Sequence, residues 1–135
     1  VKKLLKKEDD FGIKKYKTYC DFGDKVYKIR ENVLKNLKNL KDRYNVVVGY
    51  GAPAKATTAL NFFGVTKEIN YILEDNELKH NKFIPGVKIQ IKKKSILKDK
   101  KNPIVVLAWN FYKDIKKNNS ELSDNFLNIK DLEKF

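Results

Sequence analysis

The stretch that decides the fold is Val46-Val47-Val48-Gly49-Tyr50-Gly51-Ala52-Pro53-Ala54-Lys55. A β-branched run that ends in glycines is typical of a buried strand turning sharply into a helix. Gly49, Gly51 and Ala54 have the G-x-G-x-x-G/A spacing, which brings phosphates close to the backbone when a strand precedes it and a helix follows. Glu74-Asp75 ends the next apolar run about 20 to 25 residues later, where dinucleotide sites place an acid. The stretch therefore predicts a βαβ unit. The sequence leaves open whether its turn binds an anion, because many such units bind no ligand.

Two helices flank this strand in the predicted order of elements. Residues 21–44 are expected to form the first, with Asp21 as its cap and Phe22, Val26, Ile29, Val33, Leu37, Leu40 and Tyr44 recurring at spacings of three and four. Pro53–Phe63 is expected to form the second, with Pro53 at the first helical position, where its missing N–H costs nothing. Gly64 stands where a glycine commonly ends a helix.

The remaining apolar runs complete an α/β pattern. We expect strands at Val46–Tyr50, Ile69–Leu73, Val87–Ile91, Ile104–Leu107 and Phe126–Ile129, and a further helix around Phe111–Lys117. Short apolar runs separated by helical sequence are typical of parallel strands with crossover connections. The predicted fold is a Rossmann-like three-layer α/β sandwich with a mainly parallel sheet.

Candidate binding residues follow the predicted strand ends. Carboxyl ends of parallel strands share one edge, which is where open α/β sheets bind ligands. Lys55 is either an anion contact or a solvated lysine. Asp75 and Asn76 either bind a hydroxyl or cap local N–H groups. Trp109 lies either at this edge or in the core, and Asn110 lies either at this edge or at the N-cap of the following helix. The candidate ligand-binding residues are Gly49, Tyr50, Gly51, Ala52, Pro53, Ala54, Lys55, Thr57, Asp75, Asn76, Lys79, Trp109 and Asn110. No catalytic residue and no metal ligand is predicted.

The formal net charge of +13 raises the question of nucleic-acid binding. Only two of the 30 basic residues, Arg30 and Arg43, are arginines, whereas surfaces that read bases favour the arginine fork. The lysine runs Lys92-Lys93-Lys94 and Lys98-Asp99-Lys100-Lys101 are interpreted as solvated surface. The sequence predicts no specific nucleic-acid partner.

The remaining composition indicates one domain in a reducing compartment. Cys20 is the only cysteine, so no internal disulfide forms, and a cytoplasmic location is expected. No apolar run reaches the roughly 20 residues that span a bilayer, and no signal peptide is recognised, so no membrane partner is predicted. Residues 1–20 are expected to connect to an upstream domain, and residues 21–135 to form the folded domain.

Four motifs in order resemble a known family. They are residues 49–58 (GYGAPAKATT), 71–79 (YILEDNELK), 83–89 (FIPGVKI) and 105–111 (VVLAWNF). Together they are similar to the C-terminal domain of S-adenosylmethionine-dependent sugar C-methyltransferases, across roughly residues 20–130. The sequence departs from the family pattern at Ala56, where glycine is usual, and at Glu77 or Leu78, where proline is usual.

The resemblance implies a supporting part in a larger enzyme. Members of that family carry a zinc-binding N-terminal module, a methyltransferase domain that binds S-adenosylmethionine, and this Rossmann-like domain. They methylate a carbon of a nucleotide-linked keto sugar. The resemblance implies that this chain faces the sugar nucleotide, is noncatalytic by itself, and binds neither S-adenosylmethionine nor zinc, which belong to the upstream parts. The residues alone leave open a module that binds NAD or another nucleotide.

Overall fold

The computed structural model describes residues 1–97, 99 and 101–134, so that Lys98 and Lys100 of the second lysine run, and Phe135, lie outside the described residues. The α-helices are α1 (Lys2–Phe11), α2 (Tyr16–Tyr44), α3 (Ala54–Phe63) and α4 (Tyr112–Asn118), and the strands are β1 (Val48–Tyr50), β2 (Tyr71–Leu73), β3 (Ile91–Lys92), β4 (Ile104–Val106) and β5 (Phe126–Asn128). Short 3₁₀ helices lie at Glu77–Lys79, Lys94–Ile96, Trp109–Phe111, Ser120–Asn125 and Ile129–Glu133. None of the helices within these described ranges is long and apolar enough to cross a membrane.

The strands form one five-stranded sheet in the order β3-β2-β1-β4-β5. Every strand pairing recorded for these five strands is parallel, with Val48 of β1 paired to Tyr71 on one side and to Ile104 on the other. This is the doubly wound order of Rossmann-like domains, in which the chain first adds strands on one side of β1 and then adds the remaining strands on its other side. The predicted α/β fold is confirmed, and the sheet is parallel throughout.

Each strand divides its side chains between two cores because neighbouring residues point to opposite faces. On one face, Leu37 of α2 and Leu60 of α3 pack with Ile72 and Leu107. On the other face, Tyr50 and Val106 pack with Leu122, Phe126 and the partly buried α4 residues Tyr112 and Ile115. Helical layers therefore cover both faces of the sheet, which gives the three layers that the sequence predicted.

Helix α2 starts earlier than the sequence predicted. Lys15 is at the N-cap position and the helix begins at Tyr16, so the prediction of Asp21 as the cap was wrong. Asp21 lies inside the helix, and its carboxylate accepts a hydrogen bond from Lys17 Nζ at 2.8 Å. An i, i+4 ion pair supports the continuous helix at this point. The boundary expected after residue 20 thus falls within α2, and the division into connecting segment and domain stays a prediction.

Pro53 occupies the N-cap of α3, not its first helical position as predicted. Its φ of −73° and ψ of 162° give the extended backbone that an N-cap residue adopts, and the proline ring permits this φ. Gly64 ends the helix with φ 73° in the left-handed region, as predicted.

The predicted strand Val87–Ile91 is wrong for all but its last residue. Pro85, Gly86 and Val87 form a turn, and Lys88 after it has φ 56°. The backbone there pairs within its own loop, since Ile84 N donates to Ile89 O at 2.9 Å. The segment joins the sheet where Ile91 pairs with Ile72, whose N–H donates to Gln90 O at 2.9 Å. The other predicted strands are present but shorter by one or two residues.

Candidate functional site

The turns that follow β1 and β4 touch each other at the carboxyl edge of the sheet. Gly51 has φ 82°, and a Cβ built there would lie 3.0 Å from Ala108 Cβ. Positive φ and close approach both require glycine at this position. Gly49 lies within β1 and serves packing, because a Cβ there would come within 2.8 Å of Ile72 Cγ1. Only the second glycine of the motif therefore shapes the turn.

Lys55 extends from the first turn of α3 over two aromatic rings. Its Nζ lies 4.4 Å from the centroid of the Trp109 ring and 5.7 Å from that of Phe111. Trp109 packs in part against the core between the sheet, α2 and α3, so its ring is held in place. An ammonium over an aromatic face gains about 0.5–1 kcal/mol and keeps its positive charge for an incoming anion.

Glu74, immediately after β2, fastens the glycine turn. Its Oε2 accepts a hydrogen bond from Ala52 N at 2.8 Å, and its Oε1 accepts from Asp75 N and Asn76 N at 3.0 and 3.1 Å. The side chain is 13% exposed. One carboxylate thus satisfies backbone donors of the β1 turn and of the β2 turn together.

Lys79 completes this arrangement from the 3₁₀ helix that follows β2. Its Nζ donates to Ala52 O at 3.0 Å and lies 3.4 Å from Glu74 Oε2. Burial raises the pKa of Glu74, but the hydrogen bonds from Ala52 N and Asn76 N and the charge of Lys79 outweigh it, so the pKa lies below its ordinary value. We call Ala52, Glu74 and Lys79 the turn clamp.

Asp75 points to the opposite side of the sheet from Glu74. Its carboxylate accepts the hydrogen bond of Tyr50 Oη, which lies 2.8 and 3.0 Å from the two oxygens, and pairs with Lys94 Nζ at 2.8 Å. Asn119 Oδ1 accepts from Lys94 Nζ at 3.0 Å and lies 3.3 Å from Tyr50 Oη. Tyr50 and Asn119 are both buried. We call Tyr50, Asp75, Lys94 and Asn119 the edge network.

The edge network keeps its members in fixed protonation states near neutral pH. Burial raises the pKa of Asp75, but the hydrogen bonds from Lys94 and Tyr50 outweigh it and hold that pKa below its ordinary value. Burial and the adjacent Asp75 carboxylate raise the pKa of Tyr50, and the bond to Asp75 raises the pKa of Lys94. A carboxylate, a neutral phenol and an ammonium result, and Lys94 is an exposed lysine that also pairs with Asp75.

Other predicted site residues have local structural contacts. Asn76 Oδ1 accepts from Leu78 N and so caps the following 3₁₀ helix, and Thr57 O accepts from Asn61 Nδ2. Asn110 is exposed within Trp109–Phe111, and the N-cap of α4 is Phe111, so the suggestion that Asn110 caps this helix was wrong. Ala54 is the exposed first residue of α3.

The structure brings Gly51, Ala52, Lys55, Lys79 and Trp109 to one edge, whereas the Asp75 side chain turns away into the edge network. Glu74, Lys94 and Asn119 were not among the residues predicted for the site. A role for Glu74 could have been predicted from the sequence. Adjacent residues at a strand end point to opposite faces of the sheet, so the side chains of Glu74 and Asp75 contact different parts of the domain. Lys94 and Asn119 come from distant segments, and only the tertiary fold reveals their contacts. No group of three or more His, Cys, Asp or Glu side chains within residues 1–97, 99 and 101–134 is arranged to hold a metal ion.

Five parallel strands in the doubly wound order, with a glycine turn at the carboxyl edge, define a Rossmann-like α/β domain. Residues 1–127 match the C-methyltransferase C-terminal domain family, and the chain belongs to that family. The predicted resemblance is confirmed. The chain is also similar to the C-methyltransferase NovU of Streptomyces niveus, with 28% identity over 127 residues. That match covers 93% of this chain and 30% of NovU, so the chain spans less than a third of the relative's length.

Proposed function

We propose that this chain is the substrate-side domain of an S-adenosylmethionine-dependent methyltransferase that acts on a carbon of a nucleotide-linked keto sugar. The observation that carries the proposal is the position of Lys55, a cation supported by Trp109 and Phe111 at the carboxyl edge. A nucleotide-linked sugar carries a diphosphate, and an ammonium at this edge is complementary to it. Membership of the C-methyltransferase C-terminal domain family supports the transferase class.

The proposed test replaces Lys55 in the enzyme that contains this domain. Lys55→Ala is expected to raise KM for the sugar nucleotide about tenfold with little change in kcat, because a charge that holds the ground state and transition state equally affects binding alone. Lys67→Ala is the matched control, since this exposed lysine precedes β2 at the opposite edge of the sheet. A large fall in kcat at unchanged KM would contradict the proposal and assign Lys55 to the chemical step.

The domain is proposed to be noncatalytic by itself, with S-adenosylmethionine bound by an upstream methyltransferase domain. The support is the turn clamp, in which the Ala52 N–H, a donor that a cofactor at the glycine turn would use, already bonds to Glu74. Calorimetry with S-adenosylmethionine and the 135-residue chain is expected to give no stoichiometric binding in the micromolar range. Such binding would overturn the proposal that S-adenosylmethionine is bound by the upstream domain and not by this chain.

A module that binds NAD or another nucleotide is the second candidate, favoured by the strand order. In that arrangement the acid after β2 contacts a ribose, and the turn N–H groups contact the diphosphate. Here Glu74 bonds to Ala52 N, while Asp75 bonds to Tyr50 and Lys94. These internal contacts favour the substrate-side domain over the nucleotide-binding module.

A further inference from the structure

The glycine turn has the features of an anion site and holds a carboxylate of its own chain. In doubly wound sheets the turn after β1 and the start of the next helix present N–H groups and a partial positive charge to a phosphate. In this chain the Ala52 N–H donates to Glu74 Oε2 at 2.8 Å. The anion that the turn favours is supplied by the residue that follows β2.

The carboxylate is bound in the manner of a ligand. Three backbone N–H groups, those of Ala52, Asp75 and Asn76, donate to its two oxygens, and Lys79 Nζ lies 3.4 Å from one of them. Its side chain is 13% exposed. Displacing it would leave these donors unpaired and separate Lys79 from its counter-charge, which makes the displacement costly.

We propose that Glu74 is a built-in anion that determines the specificity of the glycine turn, excluding phosphate groups from Ala52 and Lys79. Repulsion between its carboxylate and an incoming phosphate adds to the loss of hydrogen bonds. Lys79 and Lys94 are each paired with a carboxylate, whereas the contacts described for Lys55 are to aromatic rings. An anionic ligand of this edge therefore meets Lys55 and not the turn. The inference goes beyond the proposed function and holds whether or not the domain serves a methyltransferase.

The first test measures binding of inorganic pyrophosphate to the 135-residue chain by calorimetry. Glu74→Ala removes the carboxylate partner of the Ala52 N–H and of Lys79 Nζ, and we expect the association constant to rise about tenfold over the unmodified chain. The double variant Glu74→Ala/Lys79→Ala is expected to lose most of this gain. A folded Glu74→Ala chain whose affinity is unchanged would overturn the proposal.

Two further variants separate this effect from general charge and from misfolding. Glu77→Ala removes the same charge from an exposed residue nearby, and it is expected to leave pyrophosphate affinity unchanged within about twofold. Glu74→Gln keeps the side-chain shape and one acceptor oxygen, so it tests the role of the charge if the alanine variant does not fold. It is expected to raise affinity in the same direction, and a rise of equal size in Glu77→Ala would contradict the proposal.

A second measurement needs no substitution. Backbone amide shifts in ¹H–¹⁵N NMR spectra follow the protonation of a carboxylate to which the amides donate. We expect the amides of Ala52, Asp75 and Asn76 to titrate together with a midpoint below 4.5, because the pKa of Glu74 lies below that ordinary value. Pyrophosphate added to the unmodified chain is expected to leave the Ala52 amide unshifted. A pyrophosphate-dependent shift at Ala52 would show that the turn accepts phosphate and overturn the exclusion, with no bearing on methyl transfer.

Discussion

The two halves of α2 carry the same apolar spacing and have different surroundings. In the second half, Val33 and Leu37 are 1% and 0% exposed and belong to the core beneath α2 and α3. In the first half, Tyr19 and Phe22 occur at equivalent spacings and are 60% and 66% exposed. The halves meet near Arg30, whose Nε donates to Phe62 O at 2.7 Å.

This difference shows what the spacing of apolar residues in a helix can predict. Apolar residues at spacings of three and four identify the face of a helix that is apolar, but the tertiary fold decides what covers it. The second half is fixed by polar contacts as well, because Asn32 Nδ2 and Asn36 Nδ2 donate to the carbonyl oxygens of Glu133 and Leu132. The continuous helix thus joins a core segment to an exposed one.

The largest expected effect comes from truncating the core half. Leu37→Ala removes a fully buried side chain between the sheet and α2, and it is expected to lower the free energy of unfolding by about 2–5 kcal/mol. Urea denaturation followed by circular dichroism measures this as a lower midpoint with an unchanged slope.

Phe22→Ala is the matched control, since it truncates a larger apolar side chain of the same stripe in the exposed half. It is expected to change the free energy of unfolding by no more than about 0.5 kcal/mol. Equal losses in the two variants would show that the first half is also packed in solution, and the comparison between the halves would then fail.

Much of the fold could be predicted from the sequence because apolar side chains are buried in the core, as they are in the second half of α2. Short runs such as Ile104–Val106 are apolar on both faces, which only a buried parallel strand requires, and Gly64 marks the end of α3 through its backbone preference. The start of α2 was missed because Asp21 is a residue type that often caps helices, whereas here the Lys17–Asp21 pair lies within the helix, which begins at Tyr16.

The edge of the sheet at which the candidate residues lie could be predicted from the sequence, but many of their side-chain contacts could not. The position of Gly51 and of Lys55 follows from local sequence, because a strand, a turn and a helix fix them. The partners of Asp75 do not, since Lys94 and Asn119 reach it from segments far along the chain. Glu74 and Asp75 are chemically similar, and only the alternation of side chains at the end of β2 separates the turn clamp from the edge network.

A smaller change in the free energy of unfolding is expected from pH, through a carboxylate close to the core half of α2. Glu68 is 2% exposed, and its Oε2 accepts from Thr66 N and Lys67 N at 2.7 and 3.0 Å. Burial raises the pKa of Glu68, but these hydrogen bonds and the charge of Lys38 on α2 outweigh it, so the folded-state pKa lies below the ordinary 4.5. A lowered pKa contributes stability that is fully present above the unfolded value and is lost as pH falls through the folded value.

Glu68→Gln is therefore expected to lower the free energy of unfolding by about 1–2 kcal/mol at neutral pH. The gap from the unmodified chain should close as pH falls from about 5 to about 3, because the unmodified chain loses the charge that the variant lacks. Urea denaturation across this range measures both curves, and Glu31→Gln, an exposed change on α2, should stay within about 0.5 kcal/mol of the unmodified chain. Curves for Glu68→Gln and the unmodified chain that remain parallel down to pH 3 would mean that the Glu68 charge does not stabilise the fold.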